Sequence, residues 1–321
     1  MMKKIIKKIV GKNEVMKNAI VWLREELFMF STIISPSLNV RLRYYYRYGK
    51  WPNLKHPQNF IEKLNWIKLN EIIKEDIYYK CADKYMVREY VEKCGCPEIL
   101  NDLIAVYERV EDIDWESLPQ SFALKMTDGC GCNIICTDKS KLDVEGSKRM
   151  LEEWKNNRQY LRYGELQNKP RYRKIIVEKF LGYDKDGELP TDYKYYCFNG
   201  KVIAILVIWK RHEESIDKEN KIQGVFMTPD WKFLSRRYGT HENEFPERPF
   251  MLKEMIEYAE KLSKPFHFVR TDLYQIEDKV IFGELTFTCA GAILTAETPV
   301  EVMDMGRLLK IPTDPDYTRA D

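Results

Sequence analysis

Histidine is scarce in this chain, with four residues among 321. They are widely scattered, so no His-based metal cluster is visible, and no nucleophile elbow marks a Ser-His-Asp hydrolase. No uncharged apolar run approaches the roughly 18 residues that a membrane span needs. The longest candidate, Leu27 to Leu38, is interrupted by Ser, Thr and Pro. Net charge is only +2, which removes any global signature of nucleic-acid binding. The eight Cys show no regular pairing and no signal peptide is apparent, so a reducing, cytoplasmic setting is expected. Cys130, Cys132 and Cys136 follow a C-x-C-x₃-C spacing that is not a usual zinc framework, and no His lies nearby. Internal repeats and low-complexity tracts are absent.

What is present suits a folded globular protein: 44% apolar and 32% charged residues, over a length sufficient for two or three packed lobes. Charge is unevenly placed. Residues 1–50 carry eleven Lys or Arg against three Glu. Met1 to Val10 repeats basic and apolar pairs at a helix-compatible spacing, which suits an anionic membrane surface or a frayed basic terminus. Arg41 to Tyr48 mixes cations with aromatics, as a polyanion- or glycan-binding surface does. A helix with Tyr packed inward and Arg facing water fits equally.

Residues 1 to about 70 read as mainly helical, with Phe60, Ile61, Leu64 and Ile67 forming a helical stripe. A further helix is expected over Ile77 to Lys93, stopped by Gly95-Cys96-Pro97. Strands are expected at Phe122 to Met126, Asn133 to Thr137 and Lys174 to Leu181, with a charged helix over Asp143 to Tyr160. Asn199-Gly200 marks a two-residue hairpin between Asp192–Phe198 and Lys201–Ile208. A helix is expected at Phe250 to Ser263. Without regular βαβ alternation this predicts an α+β fold with largely antiparallel sheets.

The most informative feature is a second hairpin. Phe266 to Tyr274 and Lys279 to Phe287 read as strands joined through Glu277-Asp278. A turn centred on Asp278 pairs Asp272 with Glu284 and Arg270 with Thr286. Alternation then puts those four residues on one face and Val269, Leu273, Ile281, Leu285 and Phe287 on the other. Like charges directly opposed are destabilising, so the two carboxylates ask for a cation. Oxygen-only ligands favour Mg²⁺ or Mn²⁺, and Mg²⁺ is usually shared with substrate phosphates. A solvated sheet face with each acid paired to a Lys or Arg is the alternative.

Thr127 to Cys132 is a small-residue turn between two strands, preceded by Lys125. Gly129 and Gly131 let backbone amides approach an anion, and Lys125 adds a point charge. It is not a Walker A loop, because a strand follows where a helix would be needed. Ile175 to Gly182 is an apolar strand closed by Glu178 and a hinge-like Gly, and Asp83-Lys84 opens a helical stretch. Taken singly, Glu178 reads as a solvated strand end and Lys84 as an exposed helix charge.

Their order is what is recognisable. Asp-Lys, a strand-Lys-Gly loop, V-E-K-F-L, then R-x-D and G-E-L-T resembles the ATP-grasp superfamily. Asn59-Phe60-Ile61-Glu62-Lys63-Leu64-Asn65-Trp66, Ala82 to Val91, Asp192-Tyr193-Lys194, Cys197 to Lys201 and Gly283-Glu284-Leu285-Thr286-Phe287 are similar to the TupA-like ATP-grasp family, over about residues 40 to 312. That family is named for teichuronopeptide biosynthesis and occurs among polysaccharide-building proteins.

The resemblance implies two α+β lobes holding ATP between them. Residues 1–75 would be an added helical basic region and 76–120 the first part of the core. Residues 121–182 would form a glycine-loop lid and 183–321 the metal-binding lobe. Lys84 and Lys125 would contact phosphates beneath the loop containing Gly129, Cys130 and Gly131. Glu178, Lys179, Phe180 and Leu181 would border adenine, through backbone groups of Lys179 and Leu181. Lys194 would be a further phosphate contact, Asp272 and Glu284 would hold Mg²⁺, and Arg270 would grip an acyl phosphate. Thr286 stands where many relatives of the superfamily have a metal-ligating Asn. Cys130 and Cys132 replace small loop residues, and Asp128 adds a negative charge there.

The activity so implied is ATP-dependent joining of a carboxylate to an amine through an acyl phosphate, on a uronic-acid or amino-acid acceptor. Residues 1–50 would provide peripheral contact with the inner face of the cell membrane. A sugar kinase on the same scaffold and a non-catalytic glycan- or membrane-associated component are the alternatives.

Overall fold

The computed structural model describes residues 14–171, 173–183, 187–210, 223–238, 244–293 and 305–318. The basic repeat of Met1 to Val10 lies outside the described residues. Eight α-helices and two wholly antiparallel sheets are seen among those residues, an α+β architecture as expected.

The smaller sheet has the order β1-β4-β2-β3, from β1 (Leu103–Tyr107), β2 (Phe122–Met126), β3 (Asn133–Cys136) and β4 (Ile175–Lys179). Alternation on β2 sends Phe122, Leu124 and Met126 into a core with Ile175, Val177 and Leu151. It turns Lys125 to the opposite face. The larger sheet runs β10-β9-β5-β6-β7-β8. Its strands are β5 (Asp192–Phe198), β6 (Lys201–Trp209), β7 (Gln223–Met227), β8 (Phe233–Tyr238), β9 (Phe268–Ile276) and β10 (Lys279–Thr286). The turn between β5 and β6 is Asn199-Gly200 with φ of 50° and 77°, the doubly left-handed geometry that this dipeptide favours.

Helices α1 (Glu14–Ile34) and α2 (Pro36–Tyr48) precede α3 (Phe60–Ile67), which is the central peg of the larger core. Asn59 caps α3 by accepting the Glu62 amide at 3.0 Å. Phe60, Ile61, Leu64 and Ile67 are wholly buried, and Phe60 packs 5.3 Å from the rings of both Phe198 and Phe268. The polar residues Glu62, Lys63 and Asn65 of this segment are buried too, and their side chains bind other parts of the chain, although Asn65 Oδ1 has no hydrogen-bond partner among the described residues. Lys63 Nζ donates to Leu309 O and Asp314 Oδ2, and Asn65 Nδ2 donates to Ile61 O and Ala292 O. This part of the family-like pattern therefore holds the fold together.

The helix expected over 77–93 is two helices, α4 (Asp76–Ala82) and α5 (Val87–Lys93). Asp83 breaks it by turning extended and accepting the amides of Tyr85 and Met86, each at 2.9 Å. An Asp side chain competes with helical continuation in this way. The charged helix expected over 143–160 is likewise α6 (Val144–Lys155) and α7 (Gln159–Tyr163), because Asn157 accepts the Gln159 amide at 2.8 Å and restarts the chain. The last long helix, α8 (Leu252–Ser263), buries Leu252, Met255, Ala259 and Leu262 against the larger sheet, a stripe of helical period.

Candidate active site

The acidic hairpin pairs as expected where it matters: Glu284 opposes Asp272 and Thr286 opposes Arg270. The turn itself differs. It is a two-residue turn, with Lys279 opposite Ile276, and the register shifts by one residue between Phe282 and Glu284. Gly283 occupies that bulge, where a Cβ would lie 2.9 Å from Asp272 O and 3.0 Å from the Tyr274 ring. The bulge re-aims everything toward the turn. Phe282 and Val280 become buried, and Ile281, expected in the core, lines the cleft instead.

β5 lies on the other side of β9 and brings Lys194 opposite Asp272 and Asp192 opposite Tyr274. One cross-strand row is therefore Lys194–Asp272–Glu284. Arg270 grips Asp272 with two 2.6 Å hydrogen bonds, and its Nη2 also donates to Glu284 Oε1 at 3.1 Å and Thr286 Oγ1 at 3.0 Å. Thr286 donates to Glu284 Oε1 at 2.8 Å. Lys194 Nζ bridges Asp272 Oδ2 at 2.5 Å and Asp192 Oδ2 at 2.7 Å. The acids therefore obtain cationic partners within their own sheet, as such opposition requires.

Across the cleft, the smaller sheet presents Lys125, whose Nζ meets Glu178 Oε2 at 2.6 Å, with Arg88 Nη1 3.5 Å from the other Glu178 oxygen. The chain break at Asp83 carries Lys84 into the same space. Its Nζ donates to Gly129 O at 2.8 Å, and its amide donates to Thr127 O at 2.9 Å. Gly129 and Gly131 have φ of 82° and 75°, a conformation that favours glycine. The charge that Asp128 adds is answered by Arg173, bound through two hydrogen bonds of 2.8 and 2.6 Å.

The resulting cleft encloses about 220 Å³, and its walls include Lys84, Lys125, Gly129, Cys130, Gly131, Glu178, Leu181, Lys194, Asp272 and Glu284. Arg270 lies beneath the acids. Lys179 and Phe180 stand apart: the Lys179 side chain is exposed, its amide donates to Asp102 O, and its carbonyl accepts from Asn101 Nδ2. The Phe180 ring packs edge-on to Tyr183. Those contacts leave Glu178 and Leu181 as the residues of this strand end that line the cleft. Arg88, Asn101, Asp192 and Tyr274 also line it and were not singled out from the sequence. Arg88 and Asp192 lie inside the recognisable Ala82–Val91 and Asp192–Lys194 segments, so position in the pattern was the available signal.

Burial pushes Asp272 up, against the pull of Arg270 and Lys194. Burial also acts to raise Glu284, but Arg270, Lys194, Lys84 and the Thr286 hydroxyl outweigh it and hold the carboxyl down to about 2. Glu284 is thus an anion whose side chain, 43% exposed, opens into the cleft. Among the described residues no group of three His, Cys, Asp or Glu forms a metal cage. Two hard oxygen donors beside lysines and a glycine turn nevertheless fit an ion that completes its shell from phosphate, as Mg²⁺ does. A cage-binding metal such as structural Zn²⁺ does not fit.

The model of the family described as TupA-like ATPgrasp matches residues 62–305, and the chain belongs to that family. Solved structures similar to it include N5-carboxyaminoimidazole synthetase from Staphylococcus aureus complexed with ADP. That structure has 11% identity, a TM-score of 0.44, and coverage of 73% of this chain and 52% of that one. D-alanine–D-alanine ligase from Bacillus anthracis has 15% identity, a TM-score of 0.41, and coverage of 72% and 69%. An ADP complex of N5-carboxyaminoimidazole ribonucleotide synthetase has 12% identity, a TM-score of 0.41, and coverage of 66% and 46%. The chain thus spans less than half the length of this last protein. No curated protein matches the chain.

Proposed function

We propose that the chain is an ATP-dependent carboxylate–amine ligase that forms an amide through an acyl phosphate. The observation that carries this reading is the Lys194–Asp272–Glu284 row facing Lys84, Lys125 and the glycine turn across one cleft. In it, Lys84, Lys125 and Lys194 neutralise the phosphates of ATP. Leu181 borders the base. Asp272 and Glu284 hold Mg²⁺ (or Mn²⁺), which when bound supplies positive charge to the transferring phosphoryl group. Arg270, fixed by its two bonds to Asp272, stabilises negative charge that develops on the acyl group. Phosphoryl transfer needs chiefly positioning and electrostatic stabilisation, and fixed cations provide both.

The acceptor in this reading is a uronic-acid or amino-acid carboxylate of a surface polysaccharide, and the amine belongs to an amino acid. Residues 1–50 rest on the inner face of the cell membrane. The basic excess of that segment and the exposed Trp22, Leu23, Leu27, Phe30, Ile33 and Ile34 of α1 support this. No described helix is long and apolar enough to cross a membrane. Sedimentation with vesicles containing anionic lipid, against neutral vesicles, tests that contact.

The ligase reading is tested by phosphate release from ATP with a panel of uronic acids and amino acids. Release must require both a carboxylate and an amine. ADP formed with a sugar alone, without free phosphate because the phosphoryl group stays on the sugar, would establish a kinase instead. If ATP and Mg²⁺ produced no thermal shift at saturation, a non-catalytic component would be left, because a ligand of the native state raises stability.

A further inference from the structure

Four arginines converge on a second hollow of about 240 Å³, lined by Arg24, Arg43, Arg47 and Arg162. Arg24 and Arg43 come from α1 and α2, and Arg162 from α7. Glu25 is the one acid in the lining, and it is already divided between Arg24 and Arg162. Arg43 has no carboxylate partner among the described residues. Its Nη1 donates to Arg162 O at 3.1 Å, and its Nε is buried without any hydrogen-bond partner.

The guanidinium groups are held in place by rings. Arg43 lies 5.0 Å from the centroid of Phe28 and 4.5 Å from that of Tyr163, and Arg24 lies 5.2 Å from Tyr46. Arg24 spends its donors on Glu25 and Tyr46, whereas Arg43 keeps its buried Nε without a partner, on a stacked guanidinium whose conformational entropy has already been lost. Burial pushes the Arg43 guanidinium down, outweighing the pull of Tyr163, Glu25 and Glu165.

The hollow and the cleft share no lining residue but are linked through one packed segment. Ile293, in its wall, ends the Cys289–Ile293 segment that follows β10, and Arg270 Nη1 reaches Cys289 Sγ at 3.8 Å. Tyr163 packs against Gly291 so closely that a Cβ there would sit 2.8 Å from its ring, and Lys68 Nζ donates to both Tyr163 O and Gly291 O. We infer that this arginine hollow is an anion subsite that takes a carboxylate or phosphate of the acceptor substrate, distinct from the reacting carboxylate. Its assignment to the acceptor rests on the ligase reading; its anion binding does not.

The test is calorimetric titration of the full chain with glucuronate and with inorganic phosphate, using glucose as the neutral control. Saturable binding of at least one anion and none of glucose is expected, and which anion binds separates the carboxylate from the phosphate source. Arg43→Met and Arg47→Gln should each weaken that binding by tenfold or more, with the thermal shift given by ATP and Mg²⁺ unchanged. If Arg43→Met does not fold, Arg47→Gln decides. The absence of saturable anion binding to the unsubstituted chain, or equal binding by the folded variants, overturns the inference. Anion binding by a chain that shows no ATP shift would refute the ligase reading and leave the subsite standing.

Discussion

The two sheets treat charge differently. On the larger one, Arg270, Lys194, Asp272, Glu284 and Thr286 satisfy one another through bonds of 2.5–3.1 Å within three adjacent strands. On the smaller one, Lys125 leans on a single carboxylate, Glu178, and beside it Lys84, from the break between α4 and α5, leans on a loop carbonyl. A network closed on itself is a platform whose geometry is set before any ligand arrives. Cations held by one bond each can exchange that bond for a phosphate oxygen. The contrast divides the cleft into a fixed acidic floor and an adaptable basic wall.

Asp272→Asn should break the contrast most severely. It leaves Arg270 with Glu284 and Lys194 with Asp192 as their remaining carboxylate partners and should lower the rate of ADP formation by about 10²–10³-fold. It should also destabilise the fold by about 3–5 kcal/mol, the cost of breaking a buried pair. Lys125→Met on the opposite wall should instead weaken ATP binding by about 10–100-fold, for the ~1.5–3 kcal/mol of one charged hydrogen bond. Its effect on stability should be small. Denaturant curves and nucleotide titrations of the two variants check this, and equal loss of stability would erase the distinction.

Phe60→Ala should cost about 3–5 kcal/mol of stability, because the ring is wholly buried between Phe198 and Phe268 in the core beneath the floor. Gly283→Ala should cost about 1–3 kcal/mol and also reduce activity, because the added methyl meets the Asp272 carbonyl and shifts Glu284 out of its row. Unfolding curves together with turnover show whether the two losses go together.

The pH dependence sharpens the same point. The folded carboxyl of Glu284 is depressed to about 2 from an ordinary 4.5, so the unfolded chain binds its proton first as pH falls. Its contribution to stability is therefore full above about 4.5 and disappears toward pH 2. Comparing stability of the unsubstituted chain and Glu284→Gln across that window should show a gap that narrows on acidification. A constant gap would contradict it. Smallest of all, Cys130→Ser should change stability by no more than ~0.5 kcal/mol, because Cys130 is exposed on the glycine turn.

Several of these features were legible in the chain itself. Alternation and Asn199-Gly200 placed β5 and β6, and β2 begins and ends where its apolar run does. The opposition of Asp272 and Glu284 was read correctly from a turn that is in fact one residue tighter, with the bulge at Gly283 making up the difference. Such a bulge leaves no mark in a hydrophobic pattern beyond one glycine. The partner of Asp128 was invisible for another reason: Arg173 lies 45 residues away in sequence. The mixed Arg and Tyr run of α2 was ambiguous because its outcome depended on which helix packed against it.

Local order along the chain determined which segments became strands, which turn joined β5 to β6, and which side chains shared a face. Those outcomes follow from backbone sterics and period-two alternation, which act between near neighbours. Tertiary structure decided how Lys84 entered the cleft, which cations offset the paired acids, and where four arginines met. Those outcomes depend on burial and Coulomb interactions between residues far apart in sequence, whose strength is set only once the surrounding chain has excluded water.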